Sequence, residues 1–568
     1  MPHAPDLLDD FVDGPRTAYF SMEMALRSDI PTYAGGLGIL AGDVVRTAAD
    51  LELPLVGVTL VSRGGYFRQE IDAQGGQIEH EDPWDPARHC APLKAAVAIS
   101  LEGRDVWIFA WLFVVAGATG GRAPVILLDT DLVVNREEDR GITRHLYGGD
   151  LTYRLKQEAV LGIGGVRMLQ ALGFTISQYH LNEGHAALLA LELLHMHRYR
   201  RNELRPGESP YDVHRVRELC NFTTHTPVEA GHDRFPYELV HQVLGDFVEW
   251  PTLKALAGEQ VLNMTLLALN LSDYVNGVAK RHAEVSRRLF PGFQVHAVTN
   301  GVHPFTWTCP SFAQLFDRYV PGWAYEPELL IRADAIPDEE LIAAHRVAKD
   351  RLVQAVKSAT NLTLSPELPI LGYARRMTAY KRPDLLFADL ARLRAIAQNF
   401  PFQIVLAGKA HPLDAAGKEM IQRLHGWAHE LEGAIPVAFV PNYDMQIAAT
   451  LVAGADVWLN TPLPPLEASG TSGMKAAFNG VPQLSVLDGW WAEACMEGVT
   501  GWAIGQPAQP PEAHAQALYA KLEQVVLPRF YQDRAGWVAM MKSTIAKNAV
   551  SFNSHRMMRR YVAEAYLR

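Results

Sequence analysis

The sequence predicts an α/β protein built as two doubly wound parallel-sheet domains facing a deep central cleft, on three observations. A chain of 568 residues is too long for one hydrophobic core of ordinary size and long enough for two. The second half carries short apolar runs, Leu368-Pro-Ile-Leu-Gly-Tyr373, Phe402-Gln-Ile-Val-Leu-Ala407, Ile435-Pro-Val-Ala-Phe-Val440, Asp456-Val-Trp-Leu459 and Pro482-Gln-Leu-Ser-Val486. Helix-like stretches separate them, which is the strand–helix–strand rhythm of a parallel sheet. Between the halves lies the turn-rich Thr299-Asn-Gly-Val-His-Pro304, after which 337–357 reads as a long amphipathic helix with acidic residues in its first turn.

In the first half, 53–61 and 175–181 read as buried strands and 185–198 as a helix, so one Rossmann-like domain is expected over 1–305. The five apolar runs place a second over 306–549, and the basic, helical segment 550–568 is expected to pack back across the junction. Two such halves would present the carboxyl ends of their strands to the cleft, where open α/β sheets bind ligands. The apolar run 106–118 is too short to cross a bilayer as a helix and reads as a buried strand or core helix.

Composition narrows the partners. Hydrophobic residues make up 48% and charged residues 20%, as in globular proteins. The formal net charge of -11 argues against nucleic acid and against an anionic membrane surface, so an anionic substrate needs a local basic pocket. Cys90, Cys220, Cys309 and Cys495 are widely spaced, without a CxxC pair, which fits a reducing cytoplasm. The first ten residues lack the basic start and apolar stretch of a secretion signal.

Three stretches could carry chemistry. Over 456–480 an apolar strand runs through the small residues Ser469 to Gly473 into a helix, the outline of an anion site built from backbone N–H groups. Taken alone, it reads first as a Ser/Thr-capped helix with Lys475 in solvent. Arg375, Arg376, Lys381 and Arg382 cluster after an apolar strand in an acidic protein, either as a cleft-facing loop or as a solvated charge run. Two phosphates of about -1.5 to -2 charge each would need about three or four such cations. Gly35-Gly-Leu-Gly38 imitates a dinucleotide fingerprint, but no clean apolar strand precedes it. His225 alone reads as a hydrogen-bonded structural residue, and Asn300 as a turn residue before Gly301.

The segment Glu467-Ala-Ser-Gly-Thr-Ser-Gly-Met-Lys475 closely resembles the cofactor-lysine motif of the glycogen, starch and maltodextrin phosphorylases, whose fold is of GT-B type. Tyr33-Ala-Gly-Gly-Leu-Gly38, His180-Leu-Asn-Glu-Gly-His185, Thr224-His-Thr-Pro227, Thr299-Asn-Gly301 and Tyr373-Ala-Arg-Arg-Met-Thr-Ala-Tyr-Lys-Arg382 agree with that family in the same order. The resemblance implies that Lys475 carries pyridoxal 5'-phosphate. By the same resemblance Arg375, Thr471, Ser472 and Lys381 hold the cofactor phosphate, Arg376 and Lys381 hold the substrate phosphate, and Tyr380 contacts sugar and phosphate. It also brings the backbone of Gly36 and Leu37 to phosphate and glucose, sets His225 and Asn300 on the glucose 6-hydroxyl, and gives Glu467, Ser469 and Gly470 the other hydroxyls. Glu183 and His185 fall on the acceptor side, with Asp150 in place of a longer acidic gate loop.

The implied reaction is reversible phosphorolysis of an α-1,4-glucan or maltodextrin by inorganic phosphate to α-glucose 1-phosphate, requiring no metal or nucleotide, in a family that is commonly homodimeric. The chain departs from the large family members at Thr378 and Asp444, where they have His and Arg, and at Ser472-Gly473, where they have Gly-Asn. Little precedes Tyr19-Phe-Ser-Met-Glu23, where they carry a regulatory extension, so phosphorylation or nucleotide control of that kind is not expected. The rival readings are a nucleotide-sugar glycosyltransferase of the glycogen or starch synthase type, for which Lys475 has no use, and an inactive glucan-binding protein.

Overall fold

The computed structural model describes residues 4–567 except 201, 203, 206, 207, 229, 230, 507 and 508. Residues 1–3, at the start of the segment read as lacking a secretion signal, and Arg568, the end of the segment 550–568, lie outside the described residues.

The first half folds around strands β1 (Pro15–Ser21), β2 (Leu55–Leu60), β3 (Ala91–Leu101), β4 (Arg104–Ala116), β5 (Arg122–Asp129), β6 (Thr175–Asn182), β7 (Cys220–Thr223), β8 (Tyr274–Gly277) and β9 (His296–Ala297). They form a 9-stranded sheet in the order β9-β8-β7-β6-β1-β2-β5-β4-β3. From β9 to β5 all neighbours are parallel, and β4 and β3 are added antiparallel. The central parallel strands are covered on both faces, so β2 is buried at every residue and shows no polar alternation. The apolar run at 106–118 is thus part of strand β4.

The second half carries β10 (Ile370–Ala374), β11 (Gln403–Ala407), β12 (Val437–Val440), β13 (Val457–Asn460), β14 (Gln483–Val486) and β15 (Gly501–Ile504) in a parallel 6-stranded sheet ordered β12-β11-β10-β13-β14-β15. Five of these coincide with the apolar runs. The last strand, β15, was not anticipated, because Gly-Trp-Ala-Ile is too short and too mixed to stand out. The helix expected over 337–357 is Asp338–Thr360. The one expected over 185–198 is shorter, Leu188–Met196, because Glu183 at φ +74° and a 3-10 turn over Gly184–Ala186 delay its start. The two facing doubly wound sheets make a GT-B arrangement.

In the second sheet β10 lies between β11 and β13, and in the first β1 lies between β2 and β6. At each of these positions the connections leave in opposite directions and open a crevice at the carboxyl ends of the strands. Helix α1 (Gly36–Asp50) follows β1, and helix α2 (Ser472–Ala477) follows β13. The ribbon Arg68–Ile71/Gln77–His80 joins the halves, with Gln69 Nε2 donating to Gly408 O at 2.9 Å and Gln77 Nε2 to Ala410 O at 3.0 Å.

The end of the chain returns to the first half. Helix α3 (Ser554–Tyr561) buries Met557, Met558 and Tyr561 in one core cluster with Tyr19, Leu40 and Val44. At its start, Asp50 Oδ2 accepts from His303 Nε2 at 2.6 Å and His555 Nε2 at 3.1 Å, joining α1, the crossover loop and α3. Burial works against the Asp50 charge, but these two imidazoles hold its carboxyl well below the usual range. Among the described residues no helix is long and apolar enough to cross a membrane.

Candidate active site

A cavity of about 520 Å³ opens between the two crevices and is lined from both halves. The first half contributes Gly36 and Leu37 at the start of α1, His225 beyond β7 and Asn300 beyond β9. The second contributes Arg375, Arg376, Tyr380 and Lys381 beyond β10, and 466–472 with Lys475 beyond β13.

Lys475 is on α2 and points into this cavity with 6% of its surface exposed, its Nζ 3.9 Å from the centre of the Trp307 ring. Burial lowers its pKa to about 8, against an opposing contribution from Asp43. A substantial fraction of the amine is therefore neutral just above physiological pH, the form that attacks a carbonyl.

Arg375 and Lys381 converge on one carboxylate. Arg375 Nη2 stands 2.5 Å from Glu467 Oε2, and Lys381 Nζ lies 2.9 Å from Oε1 and 2.8 Å from Oε2. Burial would raise the Glu467 pKa, but the two cations overcome it and hold the carboxyl at about 2. The neighbouring Gly470 has φ +73°, and a Cβ there would sit 3.0 Å from Glu467 Oε1, so the turn needs glycine on both counts. Arg376, by contrast, faces the cleft with no hydrogen bond or ion pair among the described residues, beside Gly35, whose missing Cβ would lie 3.1 Å from its Nη2.

The glycine-rich turn is pinned from behind, since Glu23 Oε2 accepts the N–H groups of Ala34 (2.6 Å) and Gly35 (3.0 Å). Around the Cβ position of Gly36 there is open space, whereas one on Gly38 would meet Glu23 Oε2 and Tyr33 Cβ at 2.7 Å. His225 Nε2 lies 2.7 Å from Asn182 Oδ1, while Asn182 Nδ2 donates to Ser21 Oγ. That assignment places the imidazole proton on Nε2 and leaves Nδ1 as an acceptor. Burial lowers His225 to about 3, so it is neutral at pH 7.

Several groups are left over in the buried lining. Asn300 Oδ1 and Ser469 Oγ have no hydrogen-bond partner among the described residues. The Thr471 carbonyl accepts Lys475 N at 3.2 Å, and Ser472 Oγ accepts from Trp458 Nε1 at 3.0 Å. Tyr380 lines the cavity with Lys381 Nζ 4.5 Å from its ring centre. At the positions that depart from the large relatives, the buried Thr378 Oγ1 has no partner among the described residues, and Asp444 lines the cavity while capping Met445–Gly454 through Ile447 N at 2.8 Å.

Asp150, Glu183 and His185 are not in this cavity. They line an adjoining one of about 590 Å³, which shares His225 and Arg376 with the first. Glu183 Oε2 accepts from His225 N at 2.8 Å and Thr226 Oγ1 at 2.9 Å, and His185 Nε2 is 3.3 Å from Asp233 Oδ2. Burial lowers His185 to about 4. The Asp150 carboxylate accepts from Tyr153 N at 2.9 Å and caps Leu151–Ala159, while Tyr147 of the same short loop also lines the cavity.

One cavity group was missed in the sequence. Lys409 stands two residues past the end of β11, lines the first cavity along with Asp444, donates to Phe67 O at 2.8 Å and is lowered by burial to about 8. The signal was a lysine at the carboxyl end of an apolar strand, as with Arg375.

Known proteins repeat this arrangement of segments. The family model described as carbohydrate phosphorylase matches residues 232–498. The chain is similar to maltodextrin phosphorylase of Thermococcus litoralis, 40% identical over 96% of this chain and 70% of that protein. It is similar to glycogen phosphorylase of Aquifex aeolicus, 35% identical over 96% of this chain and 85% of that one. Glycogen phosphorylase of Mycobacterium tuberculosis is 36% identical over 97% of this chain and 70% of its own length. Identity of that extent runs through both crevices and the turn that carries Lys475, and the chain belongs to the carbohydrate phosphorylase family.

Proposed function

We propose that the protein is an α-glucan phosphorylase, a glycosyltransferase that moves the terminal α-1,4-linked glucose of a glucan to inorganic phosphate, with retention, giving α-glucose 1-phosphate. The observation that carries this reading is a buried lysine of depressed pKa in the same cavity as Arg375, Arg376 and Lys381, in a protein of net charge -11. A nucleotide-sugar transferase has a use for the cations but none for Lys475, and the relatives above bear phosphorylase names. The reading takes 1–305 and 306–549 as its two domains and places the enzyme in the cytoplasm.

Pyridoxal 5'-phosphate fits the residues present. Lys475 supplies a partly neutral amine in a dry setting, and Arg375, Thr471 and Ser472 stand around the turn where a phosphate would lie. When bound, the cofactor supplies a phosphate able to hold a proton beside the substrate phosphate, since like charge disfavours full ionisation.

The chain's own groups do the rest. Arg376, free of other partners, and Lys381 bind and orient the substrate phosphate under the reacting carbon. The open face of Gly36 lets that phosphate approach the backbone. His225 Nδ1 accepts the proton of the glucose 6-hydroxyl, and the side-chain amide of Asn300 donates to the same hydroxyl oxygen. Glu467 accepts ring hydroxyls and neutralises Arg375 and Lys381 when the cavity holds no phosphate. Held at about 2, Glu467 stays ionised at working pH, which disfavours a glycosidase route using it as a proton donor. Glu183 and His185 lie where the remaining glucan would leave.

The test is direct: purified protein incubated with maltodextrin and inorganic phosphate should release glucose 1-phosphate and show cofactor absorbance. Turnover with ADP-glucose alone would overturn the reading.

A further inference from the structure

We propose that Arg556, on the C-terminal helix α3, is a positioning residue for the substrate glucose, because it fixes the loop that presents Asn300 to the cavity. The inference rests on the reading of Asn300 as a glucose contact.

Arg556 Nη2 donates to the carbonyls of both Thr299, at 2.7 Å, and Asn300, at 3.2 Å. The same loop is tied on its other sides: Asn300 N donates to Val278 O at 3.0 Å, and Thr299 Oγ1 donates to the Glu493 carboxylate at 3.1 and 3.0 Å. Backbone and neighbours are thus held from three elements, and what remains unengaged is the side-chain oxygen Asn300 Oδ1, buried and aimed into the cavity.

Arg556 is itself placed by its helix start. Asn553 Oδ1 accepts Arg556 N at 2.7 Å, and Asn553 forms a bridge with Val302, two residues beyond Asn300. Gly301 lies so close to this turn that a Cβ would fall 2.1 Å from Asn553 O. The path from cap to guanidinium to carbonyl to amide is short, with the Asn553 and Arg556 side chains as its links between backbone segments.

A purely structural reading accounts poorly for the choice of residue. Arg556 is part-buried, burial lowers its pKa to about 10 against weaker opposing pulls from Glu493 and Glu328, its Nε has no partner, and among the described residues no carboxylate forms an ion pair with it. Burying a guanidinium against neutral carbonyls is costly, and an apolar side chain would pack the helix more cheaply. What an apolar residue could not do is grip two successive carbonyls.

The experiment compares wild type, Arg556→Gln, Arg556→Lys and Asn300→Ala, and the double variant Arg556→Gln/Asn300→Ala, in glucan synthesis from glucose 1-phosphate and from 6-deoxyglucose 1-phosphate, with thermal midpoints measured alongside. Expected is a rise of about three- to tenfold in KM for glucose 1-phosphate in Arg556→Gln, the worth of one substrate hydrogen bond. That rise should be smaller in Arg556→Lys, absent with the 6-deoxy substrate and absent in the Asn300→Ala background. An equal loss on both substrates, or full additivity in the double variant, would overturn the proposal in favour of a structural brace. So would an unchanged KM in Arg556→Gln when Asn300→Ala is impaired. A normal KM in Asn300→Ala would remove the glucose contact on which the proposal stands, and a wild type inactive on glucose 1-phosphate would remove the reading of the site itself. Should Arg556→Gln fail to fold, Arg556→Lys carries the same comparison.

Discussion

Glu467 sits 4% exposed between Arg375 and Lys381, and its charge state links the resting cavity to the occupied one. Replacing it with Gln leaves two cations facing each other in a poorly solvated lining, a loss on the order of 3–5 kcal/mol when a buried pair is broken. A lower thermal midpoint is expected for Glu467→Gln, recovered largely by millimolar phosphate, since the anion then occupies the same cations. A midpoint insensitive to phosphate would show that the cations are satisfied otherwise. The sign with pH follows from the depressed pKa of about 2: the stabilisation by Glu467 is complete above the ordinary carboxylate range and is lost as pH falls toward 2. Acid titration of unfolding should therefore be steeper in wild type than in Glu467→Gln. Lys475 behaves oppositely in its chemistry, because a pKa lowered to about 8 makes the reactive amine more abundant. Recapture of pyridoxal phosphate by cofactor-stripped protein should quicken as pH rises to about 8 and level off beyond it, read by absorbance, and should be absent in Lys475→Ala. The residues around Lys475 could be named because they lie in one contiguous segment, 467–475, that resembles a family motif. The pairing of Arg375 and Lys381 with Glu467 could not, because which carboxylate meets which cation is decided by two loops of different strands.

Helix α1 shows the same division at the next scale. Its start was recognisable by glycines without an apolar strand immediately before them, and the structure gives the reason: the chain passes from β1 through 22–35, held by Glu23, before the helix begins. Within that turn the glycines serve different ends. A methyl group at Gly38 collides with Glu23 and Tyr33, so Gly38→Ala should lower the thermal midpoint and activity together. At Gly36 the space is empty, so Gly36→Ala should fold with an unchanged or slightly raised midpoint, while KM for phosphate should rise if the proposed approach of the anion to this backbone holds. Parallel losses of stability in both variants would contradict the assignment of Gly36 to the substrate path. Strands β10 to β14 were legible because parallel strands buried on both faces read as apolar runs. Strand β15 is made by docking Trp502 against the rest of the sheet core rather than by its own composition, and so escaped notice.

Across the whole molecule, the two sheets have separate cores, and the end of the chain is divided between them. The segment just before it, with Ile545 and Ala549, packs in the core of the second half, whereas Met557, Met558 and Tyr561 of α3 pack in the first. The basic, helical character of 550–568 and its return across the junction onto the first half were expected from the sequence, but not the contact that fixes it there, the buried hydrogen bond of His555 with Asp50 at the end of α1. Removing the chain after residue 549 takes three large buried side chains from the first half. Burial at about 1.5–3 kcal/mol each makes the loss about 5–9 kcal/mol before the ties of His555 and Arg556 are considered. The second half loses only Val550 and Phe552 from the edge of its core, the latter packed on Trp490, and keeps the rest. Calorimetry of the shortened chain should therefore show an early transition for the first half and a later one near the wild-type position. Hydrogen exchange should then speed up in β1 and β6 while β10 and β13 stay protected. An equal fall in protection across both sheets would mean that the cleft contacts, such as Gln69 with Gly408 and Gln77 with Ala410, couple the halves into one cooperative unit. In that case α3 stabilises the cleft as a whole, and opening of the active site would carry the unfolding cost of both sheets.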